Sequence, residues 1–309
     1  MAAEQKHSGP TRHLPAISLM FAALLWGLLW WPLRYFNEQG ISGLWSSVLT
    51  YCFAFIPGFW LIRKQLRFFW RYPVMLFLIA ITSGWTNVSF IVAVAEKDAA
   101  RMVLLFYLSP VWAILLGIVF LRERPTIHSL AVAVLALTGA ILMLYNPYNG
   151  ALWPRDFYDW LAISSGFSFA ATNLFIRRLE HVPVVVKTFS SWIGVILVAF
   201  LWLLVLQTGQ GGALNFPSIS AGIWLGLIVL GLFGVTSMTL AVQYGVSRLP
   251  LFKSSIILVF EVVVTIISSL LLSHEQLLHL APYGAVLIVL AAVLAGWTDN
   301  TKEIPAKQQ

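Results

Sequence analysis

Apolar residues run along this chain for about twenty positions at a time, and short polar tracts interrupt the runs. A helix needs roughly 20 mainly apolar residues to cross the hydrocarbon of a bilayer. The pattern predicts ten spans, over residues 14–34, 44–62, 74–95, 101–121, 127–145, 157–177, 185–206, 219–245, 251–272 and 279–297. Two separations are short: EKDAAR between the third and fourth spans and YGVSRLP between the eighth and ninth. Pro250 closes the latter, because proline disfavours helix at the residue before it. The first run is too long for the apolar region of a signal peptide and lacks a small-residue cleavage site, so it reads as a retained span.

Composition agrees. Of 309 residues, 60% are hydrophobic and 10% charged, against about 45–50% and about 25% in soluble domains. The single cysteine, Cys52, lies inside an apolar run, which rules out a disulfide framework and a cysteine-built metal site. The net charge of +7 is topological. With the N-terminus placed inside, the inner segments hold fifteen of the 19 Lys and Arg residues. Only Arg34, Lys97, Arg101 and Arg155 fall outside. That is the asymmetry expected of cytoplasmic loops, so nucleic-acid binding is rejected and both termini are expected in the cytoplasm. Aromatic residues support the boundaries: Phe68, Phe69, Trp70 and Tyr72 on the inner side, and Tyr145, Tyr148, Trp153, Tyr158 and Trp160 on the outer side. Trp and Tyr rings favour the headgroup level.

Within SIILVFEVVVTI, Glu261 is the only acidic or basic residue deep inside a predicted span, about ten residues from either end. A charge at the bilayer centre costs about 2.5–3.5 kcal/mol on insertion scales, and such residues usually face a cavity with a partner. Glu261 is therefore a candidate to bind a substrate ammonium or to carry a coupling proton. The plainer reading is a neutral acid tying two helices together. Uncharged polar residues form a second set. Ser83, Thr86 and Asn87 share a face of span 3; Ser164, Ser165, Ser168, Thr172 and Asn173 share one on span 6; Thr236, Ser237, Thr239, Gln243 and Tyr244 follow on span 8. The amides Asn87, Asn173 and Gln243 supply donors and acceptors to replace water around a zwitterion, with Ser168 and Thr172 as added candidates. The hydroxyls also suit helix-to-helix bonding. A third set, Trp26, Trp30, Trp85 and Tyr107, offers surfaces for an aromatic substrate or packing bulk. Pro32 and Pro110 are hinge candidates inside spans, with Pro57 a further kink, since proline removes a backbone bond. Glu123 and Glu275 fall at span ends, where capping or interfacial pairing accounts for them.

The chain repeats itself. The stretch from Ser83 aligns with that from Phe233: Gly84 meets Gly234, Glu123 meets Glu275, and Gly139 falls near Ala291 and Ala292. LLWGLLWWPLR (24–34) aligns with FSFAATNLFIR (167–177), pairing Trp30 with Asn173. The organisation is a tail (1–13), a first half (14–145), an outer linker (146–156), a second half (157–297) and a tail (298–309). Five spans per half, an odd number, predict halves of opposite orientation, an arrangement common in secondary transporters whose site lies near the midplane.

Trp26–Gly27, LSPVWAILLGIVFLRE (108–123) and its degenerate partner LVFEVVVTIISSLLLSHE (258–275) resemble the drug/metabolite transporter superfamily, EamA type, over nearly the whole chain. The resemblance implies an all-α integral membrane protein, with two inverted five-helix repeats around a central cavity lined by spans 1, 3, 4, 6, 8 and 9. Spans 5 and 10 would be peripheral. It also implies export of aromatic or hydrophobic amino acids across a bacterial inner membrane, the alternative being a cationic drug or other small metabolite. The chain departs from the family at one point: the counterpart of Pro110 in the second half is Glu261 or Val262, not proline.

Rival classes fit less well. All six histidines fall in tails, loops or span ends, so no nucleophile–base pair suggests an enzyme. There is no Walker A motif, and one buried acid within an inverted duplication fits alternating access better than the charge rings of a channel. No cofactor is expected. The partners expected are a small-molecule substrate and the bilayer, and two halves in one chain let a monomer enclose the site.

Overall fold

The computed structural model describes residues 13–145, 153–209, 216–273 and 279–297, and these are helices and their connections. The helices are α1 (Leu14–Glu38), α2 (Gly43–Ile62), α3 (Arg67–Arg71), α4 (Pro73–Glu96), α5 (Ala99–Phe106), α6 (Ser109–Leu116), α7 (Ile127–Leu144) and α8 (Phe157–Arg178). After them come α9 (Val184–Gly209), α10 (Ala221–Val229), α11 (Thr236–Val246), α12 (Leu251–Leu258), α13 (Phe260–Ser273) and α14 (Ala281–Trp297). A π-helical turn, Gly117–Leu121, extends α6, and another, Leu230–Val235, joins α10 to α11.

Among the described residues, eight helical segments are long and apolar enough to cross a membrane. They coincide with the predicted spans 1–5 and 7–9. The predicted sixth span is helical over 22 residues but is more polar, because it carries Asp159 and a row of hydroxyls. The tenth is apolar but runs for 17 residues, about 26 Å at 1.5 Å per residue. The predicted tails, residues 1–13 and 298–309, lie outside the described residues except for His13, as do most of the linker (146–152) and Glu275.

The helices cross between the halves. α1 packs against α11 and against α12–α13, while α8 packs against α4 and against α5–α6. α2 lies on α9, and α7 on α14. The main apolar core draws on both halves, with Leu19, Ala54, Leu76, Val132, Ile176, Trp192, Met238 and Ile256 among its buried members. The α4–α9 crossing is close because two glycines meet there: a Cβ on Gly84 would stand 2.4 Å from the Gly194 carbonyl oxygen. Where the repeat pairs Gly84 with Gly234, it is Gly231 that makes the comparable approach, with a Cβ there 2.3 Å from the Thr50 carbonyl oxygen. The π-helical turn at Leu230–Val235 shifts the register of small residues along the helix.

Of the three prolines inside predicted spans, Pro32 and Pro57 sit within uninterrupted helices. Pro110 occupies the first turn of α6, after a break at Tyr107–Leu108. The second half breaks at the matching place without a proline. Val259 separates α12 from α13, and Val259 N–H donates to Ile256 O at 3.2 Å while Val262 N–H donates to Val259 O at 3.0 Å. These are the i→i+3 bonds of a tightened turn.

Candidate functional site

The two breaks place the candidate site. Pro110 has no N–H, so the carbonyl of Phe106, four residues earlier, loses its helical donor. Gly166 of α8 lies against that carbonyl, where a Cβ would stand 2.4 Å from the oxygen. At the other break, Gly27 of α1 lies against the Glu261 carbonyl, where a Cβ would stand 2.8 Å from the oxygen. Each half thus lends a glycine on its first helix to the broken helix of the other. Glu261 falls in the first turn of α13, where the amide dipoles favour a negative charge. It is half-buried, and Val262 and Val263 beside it are buried.

The first break turns Phe106 and Tyr107 into a chain of rings. Trp26 meets Phe169 edge-on at 5.8 Å between centroids, and Phe169 meets Phe106 at 5.5 Å. Phe106 meets Phe90 at 5.1 Å and Tyr107 at 5.4 Å. Tyr107 is buried in one cluster with Val262 and Val263, which follow Glu261, so its phenol lies near that carboxyl. The cluster is contributed by α1, α4, the end of α5, α8 and α13, elements from both halves. Trp26, Tyr107 and Glu261 were legible as candidates in the sequence. Phe90, Phe106 and Phe169 were not, although Phe106 stands four residues before Pro110 and Phe169 three after Gly166.

The other candidates are placed elsewhere. Trp30 donates its indole N–H to Ser268 Oγ at 2.8 Å, tying α1 to α13. Trp85 donates to Ser164 Oγ at 3.1 Å and packs edge-on against Trp202. Ser165 donates to the Thr86 carbonyl at 2.8 Å, and Thr172 to Thr82 Oγ1 at 2.7 Å. These hydroxyls lace α8 to α4. Ser168 offers its carbonyl to Thr172. Gln243 is buried and donates to Ser191 Oγ at 3.0 Å, and its Oε1 has no partner among the described residues. Asn173 is also buried, and among the described residues neither its Nδ2 nor Asn87 Oδ1 has a hydrogen-bond partner. Gln243 and Asn173 sit about one turn above a second polar layer. There the buried Lys187 ammonium donates to the carbonyls of Ile176 and Leu179 and to Ser247 Oγ. Lysine near the C-terminal carbonyls of α8 suits both the helix dipole and the orphan acceptors of a helix end.

Charged groups also join the halves at the ends of the bundle; capping was expected of Glu123, but the helix it caps and the Arg101–Asp159 pair were not legible in the sequence. Arg101 of α5 grips Asp159 of α8 with two bonds, Nε to Oδ1 at 2.9 Å and Nη2 to Oδ2 at 2.7 Å. Their side chains are only 12% and 3% exposed. Nearby, Lys97 pairs with Asp156 at 2.8 Å. Its ammonium holds the Asp156 carboxyl below the usual carboxylate range, mainly through their hydrogen bond, and Asp156 raises Lys97 in turn. At the opposite end, both Glu123 carboxylate oxygens lie 3.0 Å from Leu251 N–H, the first amide of α12. The motif ending in Glu123 therefore has a mechanical meaning. Gly117 leaves room for the carboxylate, 2.9 Å from where a Cβ would be. Arg122 turns the chain through a left-handed conformation at φ 55°, and Glu123 caps a helix of the other half.

The model of the EamA-like transporter family matches residues 13–145 and again 156–297. The chain belongs to the EamA-like transporter family. It is similar to "Uncharacterized transporter YojE" of Bacillus subtilis (strain 168), 23% identical over 263 residues, covering 82% of this chain and 83% of that protein. A solved crystal structure superposes with a TM-score of 0.72 over 93% of this chain and 97% of that one, at 18% identity. That likeness carries the fold alone. This protein is therefore a multi-pass membrane transporter of the family.

Proposed function

We propose that this EamA-family member is a secondary transporter working by alternating access, with ten spans in two inverted five-helix repeats and both termini in the cytoplasm of a bacterial inner membrane. The family model's two matches and the exchange of packing partners between the halves support the inverted repeat. The substrate site lies where the ring chain of Trp26, Phe169, Phe106 and Tyr107 reaches Glu261. One observation carries this reading: a lone acid at a helix break, joined by aromatic rings from both halves. Rings at these separations can take up an aromatic guest edge-on or offset, and the carboxylate can hold an ammonium or pass a proton.

The substrate class proposed is aromatic or hydrophobic amino acids, exported by one chain acting alone. It rests on the resemblance to the aromatic amino acid exporter YddG and on those rings. Asn87, Asn173, Gln243, Ser168 and Thr172 complete the polar side of the site when the helices part, with Trp30 and Trp85 holding its walls and the Pro110 break as hinge. A second reading is favoured by Glu261 itself. An acid beside Trp26 and Tyr107 also suits a cationic drug, by ion pairing and by attraction to the ring faces. Titration calorimetry of the purified protein with tryptophan and with tetraphenylphosphonium separates the two. Tryptophan binding that Trp26→Ala weakens supports the first reading. Binding of the cation alone transfers the site to the second.

A further inference from the structure

Between α2 and α4 the chain carries Arg63, Lys64, Arg67 and Arg71, and no acidic residue stands between Phe59 and Val74. All four cations are exposed, and among the described residues none is in an ion pair. The short helix α3 carries Arg67 and Arg71, while Arg63 caps α2 and Lys64 lies in the turn between the two helices. The apolar side of α3, Phe68 and Phe69 with the following Tyr72, packs onto the main core. Phe69 meets Phe189 edge-on at 6.3 Å, and Tyr72 meets His181 at 5.2 Å. The opposite side presents Trp70, 88% exposed, and the Arg63 guanidinium lies over the ring of Trp60 at 4.4 Å.

We infer that the α2–α4 connection is a binding site for the headgroups of anionic phospholipids. The argument is charge complementarity at a fixed depth. Indole rings favour the headgroup level, so Trp60 and Trp70 put the four cations at phosphate height. Guanidinium forks match phosphate oxygens bidentately. Among the described residues these cations have no protein counter-ion, and the helix that carries Arg67 and Arg71 is pinned from beneath, so less ordering is needed there when a lipid arrives. A site of this kind is distinct from the general inner-side excess of Lys and Arg: the α6–α7 connection has Arg122 and Arg124 but no such aromatic frame.

The test uses the full chain in vesicles of equal phosphatidylglycerol and phosphatidylcholine. The protein is then extracted gently, and its retained lipids are weighed by native mass spectrometry. Wild type is expected to hold phosphatidylglycerol several-fold above its bulk share. Each cation removed should lower that enrichment by up to about fivefold, the factor for one basic side chain near an anionic surface. The combined R63Q/K64Q/R67Q/R71Q variant should lose it, while R122Q/R124Q at the neighbouring connection keeps it. A matched thermal melt confirms that the variants are folded. Equal retention of the two lipids by wild type, or equal loss in both variants, overturns the proposal.

Discussion

Gly27 of α1 touches the backbone carbonyl of Glu261, so the acid's position is set by a glycine of the other half. A Cβ there would stand 2.8 Å from that oxygen and 2.6 Å from Val264 Cβ. Both neighbours belong to one helix, and its backbone cannot step aside cheaply. Gly27→Val is expected to destabilise the protein by about 1–3 kcal/mol, the usual cost of overpacking, and to weaken substrate binding by displacing Glu261. A thermal melt and a binding isotherm check both effects.

Asp159 gives a second prediction. It is buried against Arg101 across the halves, with the Arg155 amide also donating to it at 2.8 Å. Asp159→Asn leaves a guanidinium largely desolvated without its charge partner. The expected loss is about 3 kcal/mol, the low end for breaking a buried pair, because Arg101 keeps some exposure. In a double-mutant cycle, R101Q combined with Asp159→Asn should cost clearly less than the two single losses added. Additive losses would show that the pair contributes no coupling.

Arg122 supplies a prediction of gain. A side chain at φ 55° pays roughly 1–2 kcal/mol for the left-handed conformation, and glycine does not. Arg122→Gly should raise the melting temperature, less the entropy glycine regains on unfolding, and should leave the Glu123 cap on Leu251 in place. A fall in melting temperature would mean that the Arg122 side chain matters more than its backbone.

The Lys97–Asp156 pair sets a pH window. Asp156 is depressed in the folded protein, so its stabilisation is full above the unfolded carboxylate value of about 4. It is lost as pH falls through the lower folded value. Lys97 is raised, so its share is full below about 10 and fades as pH climbs through its folded value. The melting-temperature difference between wild type and Asp156→Asn should be flat near neutrality and shrink at both extremes. Asp156 also caps α8 by accepting from the amides of Tyr158 and Asp159, so part of the acid-side loss belongs to the cap.

Much of this was readable in the chain because a bilayer demands long apolar runs. Eight of the ten predicted spans followed from run length, Glu261 stood out by its charge, and Trp26 and Tyr107 by their rings. The break at Val259 did not, since no proline marks it, and it arises from a turn that tightens between two apolar helices. The face of α8 was seen as polar, but its function depends on its neighbour. Ser164, Ser165 and Thr172 are spent on α4, a partner that only the packing identifies. Asn173 and Gln243 are likewise enclosed beside the Lys187 layer, because α8, α9 and α11 converge there. Arg101 and Asp159 are 58 residues apart, and no sequence spacing links such a pair.

The central claim is that Glu261 and the rings beside it form the transport site. Counterflow of labelled tryptophan in proteoliposomes tests it most directly, for wild type and Glu261→Gln, with and without a pH gradient. The account predicts saturable counterflow by wild type, and its loss, or the loss of its pH response alone, in Glu261→Gln. Wild-type counterflow that Glu261→Gln reproduces in rate and pH response would contradict it.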